Sequence, residues 1–322
     1  MGVNLKDIIP SKRIGYGDLS GKTIAVDALN TIYQFLSSIR QHDGTPLMDS
    51  QGNVTSHLSG LLYRTTNLAR LGVKPIYVFD GKPPDLKYKT LKARGERKRE
   101  AEREWTKAKE EGRFDDALKY AKRTSKLTDG MLDESKELLD RMGVPYVQAP
   151  SEGEAQCTRM VLDGEAWAVG SQDYDALLFG APRIVRGLTM SGKFELSLIE
   201  LEDALAGLGI SREQLVDLAI LVGTDFNEGI HGIGPKKALK AVLEGRVGEF
   251  EDEVGFEEVR EVFLEHPTTD DYEISWKAID TDGLVELLSN RHEFSIDRVK
   301  RAASELEKAY KENSQQSLNQ WF

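Results

Sequence analysis

Short apolar runs alternate with helical patterns through the first two thirds of the chain. Thr23-Ile24-Ala25-Val26, Pro75-Ile76-Tyr77-Val78-Phe79, Pro145-Tyr146-Val147, Ala166-Trp167-Ala168-Val169 and Arg183-Ile184-Val185 read as buried parallel strands. Between them, Leu58 to Leu71 and Met131 to Met142 repeat apolar residues at helical spacing, and Gly72 and Gly143 follow where a C-terminal cap falls. After about Leu196 the strand signals thin out. Amphipathic helical patterns take over at Leu198 to Leu208, Arg212 to Val222, Pro235 to Leu243, Leu284 to Leu288 and Ile296 to Tyr310. The pattern predicts an α/β fold with a central, mainly parallel sheet flanked by helices and a helical C-terminal half. Lys311 to Gln320 is polar and predicts a flexible tail.

Composition narrows the chemistry. The 322 residues, 39% of them hydrophobic, suffice for a real core. The single cysteine, Cys157, excludes a disulfide framework or thiolate zinc cluster, and His42, His57, His231, His266 and His292 show no metal-ligand spacing. Any metal must be held by oxygen. No apolar run approaches the roughly 20 residues that span a bilayer, so no membrane partner and a soluble, intracellular protein are expected. The net charge of −11 argues against nucleic acid until its distribution is read. Lys87 to Lys126 holds 15 Lys+Arg and 8 Asp+Glu, a local +7 that leaves −18 elsewhere. A strongly basic element sits on an acidic body.

In open α/β sheets the working site lies at the carboxyl ends of the strands. The residues there are repeatedly acidic: Asp27, Asp80, Glu152 and Glu154, then Asp173 and Asp175, with Asp225 after a helix. Converging carboxylates repel one another severely without a counter-ion, and hard divalent cations with oxygen ligands are the natural remedy. Two magnesium ions about 4 Å apart fit such a set and an in-line displacement at phosphate. Singly, each residue has a bland reading: an Asp after a strand is commonly a turn residue, and Ser151 with Glu154 matches a capping box. Seven at the ends of separate elements are harder to dismiss.

Val26-Asp27-Ala28, Val78-Phe79-Asp80-Gly81-Lys82-Pro83-Pro84, Glu152-Gly153-Glu154-Ala155-Gln156, Ser171-Gln172-Asp173-Tyr174-Asp175 and Gly223-Thr224-Asp225 resemble, in order, the signatures of the flap endonucleases. The resemblance runs from Gly2 to Phe322 and implies a PIN-like 5′ nuclease fold with a helical arch and a helix-two-turn-helix element. It implies that the seven carboxylates hold two divalent ions, magnesium or in its place manganese. It points to Lys87 and Arg94 as cations that steady the scissile phosphate, in keeping with electrostatic catalysis. Tyr33 matches the aromatic on which a terminal base stacks, and Gly2 falls among the implied DNA contacts. Lys87 and Arg94 are seven residues apart, so they share a face if the stretch is helical; the competing reading is a solvated charged helix.

Gly229-Ile230-His231-Gly232-Ile233-Gly234-Pro235-Lys236-Lys237 reads as a phosphate-binding helix start, with Gly232, Gly234, Lys236 and Lys237 as candidate duplex contacts. In relatives this element also binds a monovalent cation through carbonyls. Gln315, Leu318, Trp321 and Phe322 match a sliding-clamp docking pattern, with Leu318 and Trp321 at one-turn spacing. The implied organisation is a nuclease domain over residues 1–310, followed by a clamp-docking tail over 311–322. Within the domain, the resemblance implies an N-terminal region over residues 1–100, an arch over 87–132, an internal region over 133–245 and a helical region over 246–310. The implied activity is magnesium-dependent cleavage of DNA near a duplex/5′-flap junction, with 5′–3′ exonuclease activity as a companion, in replication (Okazaki fragment maturation) and repair. A monomer is expected, and the ending resembles archaeal members, hence cytoplasmic. Two other readings stay open: a clamp-bound DNA-binding protein without chemistry, and a phosphotransferase suggested by Asp173-x-Asp175.

Overall fold

The apolar runs become the middle of one sheet. The computed structural model describes residues 2–189, 195–250 and 255–319, with the backbone alone for 88–94, 97 and 314–319. The strands are β1 (Lys12–Arg13), β2 (Thr23–Asp27), β3 (Lys74–Phe79), β4 (Tyr146–Gln148), β5 (Ala168–Gly170), β6 (Arg183–Arg186) and β7 (Ser197–Glu200). They form a seven-stranded sheet in the order β1-β7-β6-β5-β2-β3-β4. β6, β5, β2, β3 and β4 are mutually parallel, and β7 and β1 extend one edge antiparallel.

Ahead of β4 come helices α1 (Ala28–Ser38), α2 (Ser56–Arg70), α3 (Lys87–Glu110), α4 (Phe114–Ala121) and α5 (Asp129–Arg141). Then follow α6 (Gly153–Leu162), α7 (Asp175–Leu178), α8 (Leu201–Leu208), α9 (Arg212–Val222) and α10 (Pro235–Leu243). α11 (Phe256–Leu264), α12 (Thr281–Leu284), a π-helical segment over Val285–Arg291 and α13 (Ile296–Asn319) complete the described chain. Successive strand residues point to opposite faces, so each strand feeds two cores. Ala25, Ile76, Val78, Val147, Val169 and Ile184 pack with α6, α7, α9, α10 and α11. Ile24, Val26, Tyr77, Phe79, Ala168 and Val185 pack with α1, α2, α5 and α13. Gly72 and Gly143 do follow α2 and α5 with positive φ, and Gly143 lies so close to the Lys277 carbonyl that a Cβ there would sit 2.1 Å from it.

Three expectations shift. Ser197–Glu200 is a strand and the helix begins only at Leu201, because pairing with β6 overrides the helical spacing from Leu198. β1 has no apolar signal; it is an exposed, charged edge strand held by its backbone. The chain after Lys311 is helical through Asn319 where a flexible tail is expected. Lys311–Glu307 and Lys308–Glu312 pair one turn apart, and Asn313 Nδ2 donates to the Ala69 carbonyl at 3.1 Å, docking the helix on α2.

The basic segment forms α3 and α4, packed on each other and resting on the loop after α1. Trp105 Nε1 donates to the Asp43 carbonyl at 3.2 Å, and Lys109 pairs with the Asp43 carboxylate at 2.7 Å. On the α2–α5 side a polar cluster ties distant segments together. Glu134 meets His57 Nε2 at 3.3 Å and His292 Nε2 at 3.2 Å, and His292 Nδ1 meets Asp49 at 3.1 Å. Among the described residues no helix is long and apolar enough to cross a membrane.

Candidate metal centre

The candidate carboxylates stand on the rim where the parallel strands end. β2 ends in Asp27, Asp80 follows β3, and Asp173 and Asp175 follow β5. The loop after β4 delivers Glu152 as the N-cap of α6 and Glu154 in its first turn. β3 and β5 lie on opposite sides of β2, so the chain diverges there and leaves the crevice that open α/β sheets use for ligands. Asp225 comes from the other direction, after α9.

The seven groups lie within electrostatic reach of one another. Asp27 feels Asp80 and Asp173, Asp80 feels Glu152 and Asp225, and Glu154 feels Asp175, Asp27 and Asp173. Asp175 feels Asp225 and Asp173. Burial first and this repulsion second push the Asp80 carboxyl up to about 6, although Lys87 and the Gly153 N–H oppose the rise. Burial, with Asp225 and Asp173, pushes Asp175 up to about 7. Burial holds Asp27 and Glu154 well above the usual carboxylate range as well, reinforced by Asp80 and Asp175 respectively.

Protein donors hold the carboxylates in place. The Asn30 N–H and Nδ2 donate to Asp27 Oδ1 at 2.9 Å and Asp173 Oδ2 at 2.8 Å. Gly153 N–H donates to Asp80 at 3.0 Å, Ser171 Oγ to Glu154 at 2.6 Å, and Val3 N–H to Asp175 at 2.8 Å. Glu154 therefore serves Ser171 and the cluster, and Glu152 rather than Ser151 is the N-cap, so the capping-box reading of Ser151 and Glu154 does not hold. Gly2 lies against the Asp175 carboxyl, where a Cβ would come within 2.4 Å of Oδ1. Sequence reasoning misses Asn30, Ser171 and Val3; the one legible signal is the amide three residues after a helix-capping Asp.

Lys87, at the start of α3, places Nζ 2.6 Å from Glu152 Oε2 and 5.8 Å from the centre of the Phe226 ring. Burial pulls its ammonium down, but Glu152, Asp80 and Asp225 outweigh that and hold it above the ordinary lysine range. Arg94 lies on α3, its side chain outside the described residues. Tyr33 is on α1, 44% exposed. Gly232 has φ +79° in the turn before α10, Gly234 is the N-cap, Pro235 the first helical residue, and Lys236 lies in the first turn. Lys237 Nζ donates to the Gly232 carbonyl at 2.9 Å, closing that turn. The side chains of Gln315 and Leu318, and all of Trp321 and Phe322, lie outside the described residues.

Among the described residues no three of these groups enclose an ion as they stand; each described bond turns a carboxylate to a protein donor. The donor set nevertheless fits a hard divalent cation. It is all oxygen, partly to fully buried and strongly acidic, with Lys87 bonded to Glu152.

The profile of the XPG N-terminal domain matches residues 2–101 and that of the XPG I-region residues 143–225, which together carry all seven carboxylates. Flap endonuclease 1 of Methanothermobacter thermautotrophicus is 52% identical over 330 residues, covering all of both chains. Flap endonuclease 1 of Pyrococcus furiosus is 49% identical over 338 residues, covering all of this chain and 99% of its own. Among solved structures, flap endonuclease-1 from Methanococcus jannaschii superposes with a TM-score of 0.81 at 45% identity, covering 96% of this chain and 98% of that one. The catalytic core of Rad2 in complex with DNA substrate, at 24% identity and a TM-score of 0.73 over 95% of this chain and all of that one, shares the fold.

Proposed function

We propose a two-metal-ion chemistry for this chain, which belongs to the flap endonuclease family. As a member it is a structure-specific 5′ nuclease that cuts a DNA phosphodiester near the junction of duplex and 5′ single strand, in replication and repair. Asp27, Asp80, Glu152, Glu154, Asp173, Asp175 and Asp225 hold two magnesium ions, some directly and some through water. When bound, the pair supplies a polarised water and neutralises charge on the scissile phosphate. The observation that carries this reading is the meeting of these carboxylates at one strand-end rim, where burial and mutual repulsion raise the Asp80 and Asp175 carboxyls.

The protein's own residues do the rest. Lys87 leaves Glu152 for a non-bridging phosphate oxygen, and Arg94, two turns along α3, joins it as charge develops. α3 and α4 form an arch over the site through which the 5′ strand passes. Tyr33 stacks on the terminal base, and Gly2, beside Asp175, leaves room for the backbone of the DNA. The turn at Gly232 and Gly234 with Lys236 and Lys237 grips duplex phosphates without reading sequence, and its carbonyls are the place for a monovalent cation. Gln315, Leu318, Trp321 and Phe322 dock on a sliding clamp. We place the enzyme in the cytoplasm as a monomer.

The test uses an end-labelled 5′-flap duplex beside nicked and blunt duplexes, with magnesium or chelator. Wild type cuts the flap near the junction only with magnesium, and Asp173→Ala binds it but cuts at least about 1000-fold more slowly. Binding without cleavage by wild type, whatever divalent metal is supplied, would leave a DNA-binding protein and strip the carboxylates of their catalytic role.

A further inference from the structure

Asn30 is the third residue of α1, one turn after the carboxylate that ends β2. Its backbone N–H donates to Asp27 Oδ1 at 2.9 Å, as the helix N-terminus requires. Its side-chain Nδ2 donates to Asp173 Oδ2 at 2.8 Å, across 143 residues of sequence. One half-buried residue thus joins carboxylates from two neighbouring parallel strands. A neutral amide suits this place. A lysine or arginine would add a charge that repels a cation, and an acid would add to the mutual repulsion of the carboxylates. An ionised carboxylate has about four lone-pair directions, so one N–H on Oδ2 leaves the others open.

We infer that Asn30 is a positioning residue that fixes the Asp173 carboxylate for a divalent cation and so sets cation affinity rather than bond cleavage. The inference rests on the metal reading above. The backbone N–H to Asp27 survives substitution and the Nδ2 donor does not, so side-chain variants separate positioning from helix capping. Asn30→Leu keeps the shape and volume while removing the donor; Asn30→Ala removes both.

Titration calorimetry of the full chain with magnesium or manganese chloride alone, without DNA, reads the effect directly. Both variants bind the cation about 10-fold more weakly than wild type. The magnesium concentration for half-maximal flap cleavage rises by the same factor, and kcat at saturating magnesium stays within about twofold. On an Asp173→Ala background, Asn30→Leu weakens binding no further. Thermal melts in chelator show Asn30→Leu folded. Cation affinity unchanged in Asn30→Leu, or reduced as much on the Asp173→Ala background, overturns the inference and leaves the metal reading standing. Wild type with no saturable cation binding sinks the metal reading, and this inference falls with it.

Discussion

Two acid-containing clusters of this protein use the same residue types to opposite effect. At Asp49 and Glu134 every carboxylate has its donors. Burial works against the Asp49 charge, but Asn53, through its side chain and backbone N–H, and His292 hold its carboxyl down at about 2. A hydrogen bond from His57 leads the effects that hold Glu134 below the glutamate range. At the strand ends, Asp80 is pushed up to about 6 and Asp175 to about 7, because buried carboxylates face one another. In the first cluster the carboxylates are held by hydrogen-bond donors from the protein itself. One in which buried carboxylates repel one another is the kind of cluster that the proposed cations would relieve.

The sharpest way to break this contrast is Asp175→Asn. Removing one negative charge from the strand-end cluster lowers flap cleavage by roughly 1000-fold. The same change raises the melting temperature in chelator by roughly 1.5–3 °C, a gain of about 1–2 kcal/mol. Asn retains an acceptor for the Val3 N–H, so the fold keeps that bond. Cleavage kinetics and melting curves that moved in the same direction would erase the distinction.

At the cluster of Asp49 and Glu134 the sign reverses. Glu134→Ala leaves buried His57 Nε2 without its acceptor and destabilises the protein by about 1–3 kcal/mol. Urea denaturation gives the same loss with magnesium and with chelator, since this cluster has no part in cation binding. A loss that magnesium repairs would link the two clusters.

The smallest effect is the most diagnostic. Asp80 and Asp175 have folded values above the unfolded carboxylate range, so between about pH 4 and 7 the chelated native state binds more protons than the unfolded chain. Chelated protein therefore loses stability as pH rises through that window, and magnesium flattens the slope. Asp49 is depressed, so its contribution is present above about pH 4 and fades as pH falls toward 2, with or without metal. Denaturant midpoints across pH 2–8, with magnesium and with chelator, measure both slopes.

Much of this was legible in the chain because the relevant physics is local. An apolar run with an acid at its end places a carboxylate on the rim of a parallel sheet, and Asp27, Asp80, Asp173 and Asp175 follow that rule. Pro235 and the glycines before it marked the start of α10, and α9 spans Arg212–Val222 as its spacing predicts. β1 was hidden because an edge strand rests on backbone pairing, which leaves little trace in side-chain pattern, and β7 because its pairing with β6 overrides a helical spacing. The helix past Lys311 was hidden because its anchor, the Ala69 carbonyl, lies 244 residues away.

The sequence by itself determined which residues could carry the chemistry, since charge type and strand ends are written in consecutive residues. Only the tertiary structure decided that Asn30 bonds Asp173, that Ser171 takes Glu154 from its expected cap, and that Lys87 reaches Glu152. Those partners lie 143, 17 and 65 residues apart in the chain. A hydrogen bond about 3 Å long is fixed by where the packed elements deliver both ends, and no local pattern of residues encodes that meeting.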